Sequence, residues 1–495
     1  MKTSNSVTHR IGLTLAVSIG AWTTGLHAQP GSQDTNFNAV ATSPPIPPPS
    51  PFPGHVGFSV AVQPDGKVIA VGTFGVLRLL GDGSLDPTFQ AIPPGPAPFT
   101  GPGSGVGAVA LQPDGRILVS GDFTNAADAP LPSIVRLNAD GSIDSSFNLD
   151  PRAYPAGALA LQPDGKVVSA GSYYDPVHQE YGGFVRLRSD GSLDPDFDSR
   201  GIRGGGVFAL APGGEIYLAM GTTILRINQD GSPDETFVAQ THPSYGASAL
   251  AVQLDGKLLV GSYSDGMGFL PPAVRRLLTD GTDDPDWTAP DVNGGDAVVY
   301  SILLQPDGKV LVGGNNLESF NGVGNANLGR LNPNGSVDTS FDTRGDLHYY
   351  SVEDMALAPD GKVIVAGMQL GTPGPGVWRL NNDLDPRGIE FTTASYIAHE
   401  GDGWVSLTVR RTTETDKFAV VAYAVRPGTA TRWRDYFGGD GVLVFRPGET
   451  HKKIRLYVVR DRKSEGFETV RLTLLRARGG SIGPQRTATL TILDK

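Results

Sequence analysis

Eight histidines stand at positions 9, 27, 55, 178, 242, 348, 399 and 451. None falls into the His-x-x-x-His or His-Glu-x-x-His spacing that would set two imidazoles on one metal. The chain has no Cys in 495 residues, which excludes disulfides, thiolate zinc and thiol catalysis. Gly479-Gly480-Ser481-Ile482-Gly483 has the outline of a nucleophile elbow. That turn needs a strand before it, a helix after it and a later His, and no His follows here. It reads as a hairpin loop. Gly105-Val-Gly-Ala-Val-Ala110 mimics a dinucleotide fingerprint but leads into a strand. The recurring Asp-Gly-Ser-x-Asp, as in Asp82 to Asp86 and Asp140 to Asp144, opens like a calcium loop. Pro93 and Pro151 occupy the position where a bidentate Glu would be needed, so these Asp read as turn caps. Arg344-Gly345-Asp346, an integrin-type tripeptide, needs no explanation beyond the Gly and Asp content.

The charge is uneven. The chain carries −11 overall, but residues 388–495 hold 18 Lys and Arg against 12 Asp and Glu, a balance of +6. The remainder is at −17. An acidic body of this kind repels phosphate, so no nucleic-acid partner is expected. Within the basic tail, Arg432, Arg434, Lys452, Lys453, Arg455, Arg460, Arg462 and Lys463 offer a patch for an acidic polysaccharide or another surface polyanion. The alternative is a scattered soluble surface. At the N-terminus, Lys2 and Arg10 precede the apolar run Ile11–Trp22, and Leu26-His27-Ala28 offers a cleavage site. Such a run is too short to span a bilayer, so residues 1–28 read as a signal peptide and the mature chain as exported, a retained N-terminal anchor being the weaker alternative.

The rest is turn-rich. Gly, at 66, and Pro, at 39, are both above ordinary usage, yet together below the level of a disordered chain. Their excess follows a repeat. A Pro-Asp-Gly element has its Asp at 65, 114, 164, 255, 307 and 360, with Pro212-Gly213-Gly214 as a degenerate copy. A second element, Gly-Ser-x-Asp-x-x-Phe, ends at Phe37, Phe89, Phe147, Phe197, Phe237, Trp287 and Phe341. Pro presets the first turn angle, Asp suits the second position, and Gly accepts the positive φ after it, so each copy closes a β-hairpin. About four short strands in roughly 50 residues is the size of one propeller blade. The first unit begins at its end, Gly31 to Phe37, and the last lacks that end, so residues 33–38 are expected to pair with Val377–Leu380 and close a ring. Pro44–Pro53 interrupts the first unit as an extended loop.

Residues 31–387 resemble the bacterial delta-60 repeat family, as carried by Leu111-Gln-Pro-Asp-Gly-Arg-Ile-Leu-Val119 and Ile134-Val-Arg-Leu-Asn-Ala-Asp-Gly-Ser-Ile-Asp-Ser-Ser-Phe147. After Pro386 longer alternating strands follow, such as Trp404-Val-Ser-Leu-Thr-Val-Arg410 and Ile454-Arg-Leu-Tyr-Val-Val459. They suggest one β-sandwich. Glu400-Gly-Asp-Gly403, Gly428-Thr-Ala-Thr431, Asp435-Tyr436, Phe445 to Thr450, Glu465-Gly-Phe-Glu-Thr469 and Leu490 to Asp494 resemble a Calx-beta domain. That resemblance implies a Ca²⁺ site at Glu400, Asp435, Asp461, Glu465, Glu468 and Asp494. Arg462 stands where a second Asp is usual, and Lys495 where further acidic residues would follow, so weak or lost calcium binding is expected.

The whole reads as all-β: a signal peptide (1–28), a seven-bladed β-propeller (29–387) and a Calx-beta type β-sandwich (388–495). The expectation is a secreted or cell-surface, non-catalytic binding or adhesion scaffold. Its partner would be an extracellular carbohydrate or protein, with peripheral association at the cell surface. Face loops Phe123–Leu131, Tyr173–Tyr181, Tyr263–Pro272 and Asn315–Asn327 are its candidate contacts. The rival reading is an extracellular enzyme acting in the propeller channel.

Overall fold

Seven times along the chain a tight turn ending in Gly reverses the direction of a short apolar strand. The glycines are 66, 115, 165, 214, 256, 308 and 361, all with φ between 84° and 94°, where a side chain would be strained. In the first, Gln63 donates to the Lys67 carbonyl at 2.7 Å and Gly66 to that of Gln63 at 2.9 Å. The computed structural model describes residues 29–493, apart from 40–56, 91–105, 122–132, 176–179, 200–201, 203–205, 212–213, 241–245, 263–273, 294–296, 325–326, 344–348, 370–375, 384–387, 461–465 and positions 163, 254, 394 and 484. Residues 1–28, read as a signal peptide, and the stretch 44–53 therefore lie outside the described residues, as does Arg344-Gly345-Asp346. No helix among the described residues is long and apolar enough to cross a membrane.

Each turn joins the first two strands of an antiparallel meander. The first meander runs Gly57–Val62, Val68–Gly72 and Gly75–Leu79, and the last Tyr349–Leu357, Val363–Gln369 and Val377–Leu380. The described residues contain seven such meanders. Their middle strands are almost wholly buried because both faces meet neighbouring meanders. The fourth strand expected in each unit is reduced to one bridge, such as Leu137↔Ile143. Just beyond it the chain curls, with Phe147 donating to the Asp144 carbonyl, and leaves the ladder. The fourth repeat is the exception, with a full strand at Pro233–Gln240.

That curl builds a ligature. Arg136 Nε donates to Asp144 at 2.8 Å, its guanidinium lies 5.1 Å from the centre of the Phe147 ring, and its Nη1 donates to the Ser189 carbonyl in the next repeat. The same pairing recurs at Arg78, Arg186, Arg226, Arg276 and Arg330, over Phe89, Phe197, Phe237, Trp287 and Phe341. Most of these carboxylates take a second cation from just after the tight turn, for example Lys166 on Asp194 at 3.1 Å. A backbone stitch accompanies them: Asn148 donates to the Asp190 carbonyl at 2.7 Å.

The seventh repeat borrows its missing half from the N-terminus. Arg379 pairs with Asp34 at 2.7 Å and lies 5.1 Å from the Phe37 ring centre. Gln33 bridges to Leu380, and Gly31 and Asn381 are joined at 2.8 Å. On either side, Asp342 donates to the Pro30 carbonyl and Asn38 to that of Asp82. Val60 and Val68 of the first meander share a core with Ile364, Ala366 and Val377 of the last. The ring is closed as the phasing predicts, by a single bridge and side chains instead of a full strand.

The C-terminal strands form two packed sheets. One runs Ile389–Phe391, Gly403–Arg411, His451–Val458, Tyr436–Phe437 in spatial order; the other runs Ser395–His399, Thr487–Leu493, Phe467–Arg478, Ala419–Pro427, Gly441–Phe445. Leu407, Val421, Leu456, Leu472 and Leu490 point between them into a core of the sandwich's own residues. The loop at Gly479–Gly483 links two paired strands of one sheet, as its reading as a hairpin loop requires.

Candidate functional site

Main-chain bonds gather one end of the sandwich. The Glu400 amide donates to the Leu493 carbonyl at 2.8 Å, Gly401 to Val459 at 3.3 Å, and Val459 to Asp435 at 2.9 Å. Glu468 sits opposite Ile492, one position from Leu493, at the same end. Three of the six carboxylates implied for calcium are thus brought together. Asp461, Glu465 and Asp494, with Arg462, lie outside the described residues.

Glu400 and Asp435 are 7% and 5% exposed. A buried carboxylate needs partners, and Asp435 has them. Its Oδ2 accepts the Thr431 amide at 2.5 Å, and its Oδ1 lies 3.8 Å from Arg434 Nε. The Arg460 stem lies across Gly401, bringing another cation to this end. Ca²⁺ takes about six to eight oxygens. Among the described residues no three His, Asp or Glu side chains form a group able to hold a metal. Of the three described carboxylates, Asp435 is bonded within its own loop.

In the ring, the inner strands Gly57–Val62, Val298–Leu304 and Tyr349–Leu357 converge on Asp354. Its carboxylate accepts the Ser59 hydroxyl at 2.7 Å and the Val60 amide at 3.0 Å, and Ser301 bonds to it as well. Burial pushes Asp354 above the usual carboxylate range against these bonds. Burial raises Glu353 too, although Ser351 donates to it at 2.7 Å. The described histidines, His399 and His451, are both in the sandwich; His55, His178, His242 and His348 lie outside the described residues. Asp354 acts among its described neighbours as a knot tying the first, sixth and seventh repeats.

Of the candidate face loops, 123–131 and 263–272 lie outside the described residues, and Tyr173–Tyr181 follows two paired strands whose connection does. Asn315–Asn327 is mostly described. Its Leu317 and Phe320 are wholly buried, Asn327 accepts the Leu317 amide at 2.7 Å, and Asn321 accepts that of Asp291 at 2.8 Å. Leu317, Phe320, Asn321 and Asn327 are thus spent on folding the loop, while the buried Asn315 Oδ1 has no hydrogen-bond partner.

Of the basic positions, Arg462 and Lys463 lie outside the described residues. Lys452 is held by Glu449 at 2.7 Å, whereas Lys453 and Arg455 project outward from alternate positions of His451–Val458. Beside them are aromatics that sequence reasoning passed over: Trp404, Trp433, Phe437 and Tyr457, all exposed. The available signal was Trp404 falling on the polar phase of its strand. The arginine ligature also went unread, although Arg, Asp and the aromatic recur at fixed spacing in six of the repeats.

Residues 383–495 match the Calx-beta domain family. Six stretches, 63–89, 112–147, 162–197, 253–286, 305–341 and 358–386, match the family described as domain of unknown function (DUF5122) beta-propeller. Sodium/calcium exchanger 1 of Bos taurus is 31% identical over 125 residues, which take in 21% of this chain and 13% of the exchanger. The crystal structure of the apo-form Calx CBD1 domain is 29% identical, with a TM-score of 0.21, covering 22% of this chain and 96% of that one. The streptogramin B lyase structure is 16% identical, with a TM-score of 0.43, covering 67% of this chain and 95% of that one.

Proposed function

We propose that this chain, a beta-propeller repeat protein with a C-terminal Calx-beta domain, is a secreted or cell-surface scaffold that binds and does not catalyse. The observation that carries this reading is how the polar groups are used. The ring's recurring chemistry, seven Arg–Asp–aromatic ligatures, is directed inward to hold repeats together. Asp354, the carboxylate enclosed within the ring, is bonded to Ser59 and Val60 and has no imidazole beside it among the described residues. The exposed chemistry lies on the sandwich instead. The N-terminal apolar run supports export, and adhesion at the cell surface is the role such a scaffold would serve. The same reading makes the calcium site a reduced one, because Asp435 is bonded to its own loop and Arg434 stands beside it. Calorimetric titration of the full chain with CaCl₂ tests this: no heat below millimolar Ca²⁺ is expected. Micromolar binding would show an intact site.

A further inference from the structure

The outer face of one sandwich sheet carries a row of aromatic rings. Trp404 and Tyr457 are register partners on neighbouring strands, as are Tyr457 and Phe437. Their ring centres are 5.5 Å and 6.2 Å apart, and Trp433 continues the row 5.7 Å from Phe437. The contacts are edge-on or tilted, which leaves ring faces open to solvent. Trp404 is 67% exposed and Trp433 65%. Soluble proteins rarely line up exposed aromatics without a partner for them.

The backbone goes out of its way to present one of them. Trp433 has φ of 75°, a left-handed conformation that a bulky side chain rarely adopts. It is held there by its amide donating to the Tyr436 carbonyl at 2.8 Å and by the Asp435 carboxylate gripping the Thr431 amide. The carboxylate implied for calcium thus props up the loop that displays Trp433.

Cations border the row. On the same face Arg455 stands opposite Ser406, and Lys453 opposite Thr408. Neither makes an ion pair among the described residues. The Arg432 guanidinium lies 4.6 Å from the Trp433 ring centre, its buried Nε without a hydrogen-bond acceptor. The acids nearby are already engaged: Glu390 by Arg410 at 2.7 Å, Asp402 by the His399 amide, Asp440 by Arg426 at 2.6 Å.

We infer that this face binds an acidic polysaccharide of uronate type, with pyranose rings lying on the aromatics and carboxylates meeting Arg455, Lys453 and Arg432. The inference rests on the scaffold reading and names its ligand class. A pyranose presents a flat face of C–H bonds whose slight positive charge suits the negative face of an aromatic ring. Ring spacings of 5.5–6.2 Å are on the scale of one sugar unit, so a linear polymer can repeat the contact along the row. Guanidinium and ammonium groups beside it supply charge-assisted bonds to each carboxylate.

Affinity electrophoresis of the full chain through gels containing polygalacturonate, dextran or duplex DNA tests the inference. Polygalacturonate is expected to retard the chain, more weakly at high salt, with dextran and DNA doing so far less. Trp404→Ala and Trp433→Ala should each weaken retardation about tenfold, the scale of one lost stacking contact, and Arg455→Glu should weaken retardation and reduce its salt dependence. Because these side chains are exposed, an unchanged melting temperature should accompany each variant. Equal retardation by dextran or DNA, or full retardation of the Trp404→Ala/Trp433→Ala pair, would overturn the site. If that double variant still binds extracellular matrix, this site is wrong and the scaffold reading stands.

Discussion

Each ligature Asp is an acid kept ionised by its neighbours. In Asp144 the Ser146 hydroxyl and amide, then Arg136, hold the carboxyl at about 2, against burial. Thr236 and Arg226 do the same for Asp234, and Lys257 and Arg276 for Asp284, each at about 2. Asp86 and Asp338 are lowered further, with burial outweighed by hydroxyl, Lys and Arg partners. Depressed values stabilise the fold fully above the unfolded value of 3.8 and lose that contribution as pH falls through the folded value. Glu353 and Asp354, which are raised, act the other way, and their effect lies at higher pH. The melting temperature followed by circular dichroism is therefore expected to fall steeply between about pH 4 and pH 2. A flat profile down to pH 2 would contradict the ligatures' role.

At the scale of elements, the latch is the weak point of a ring without disulfides. Asp34 receives both Arg379 and Lys362, and Phe37 fills the place under Arg379. Asp34→Asn leaves two cations facing a neutral amide, and breaking such a buried pair costs about 3–5 kcal/mol. The variant should melt earlier and show faster proteolysis of its first and last meanders, whereas Asp65→Asn on an exposed turn should not. The Pro-Asp-Gly hairpins were legible because turn chemistry is local, decided by residues four apart, and the latch because the repeat phasing leaves the first unit with only its end and the last without one. The missing fourth strand was not, because the pull that bends Asp144 out of the ladder comes from Arg136, a side chain eight residues back. The aromatic row was hidden for a related reason. Trp404 and Tyr457 become neighbours through strand register, which no local window contains. Of the carboxylates that the resemblance implies for calcium, motif order led to the shared end of the sandwich for Glu400, Asp435 and Glu468 but not to the Thr431 amide that engages Asp435.

At the scale of the molecule, the basic sandwich rests on the acidic ring. The Phe467 ring lies against Gly214, where a Cβ would come within 1.9 Å of it, so only Gly fits this fourth turn. Gly466 meets the Gln229 side chain, and Arg471, its charge disfavoured by burial, faces Asp255 on the fifth turn. Docking that sets Arg471 against Asp255 is the kind that charge reversal loosens. Asp255→Arg is expected to raise the radius of gyration in X-ray scattering while leaving the melting of each part in place; an unchanged radius would mean the contact contributes nothing to docking. Under the proposed function the two parts divide the work, the ring as support and the sandwich as the surface that meets a ligand. Binding without turnover is the heart of this account. The direct measurement is to hold the full chain with polygalacturonate, recover the bound polymer and count new reducing ends. The account predicts retained polymer of unchanged length; new reducing ends that vanish in Asp354→Asn would place an enzyme in the channel and contradict it.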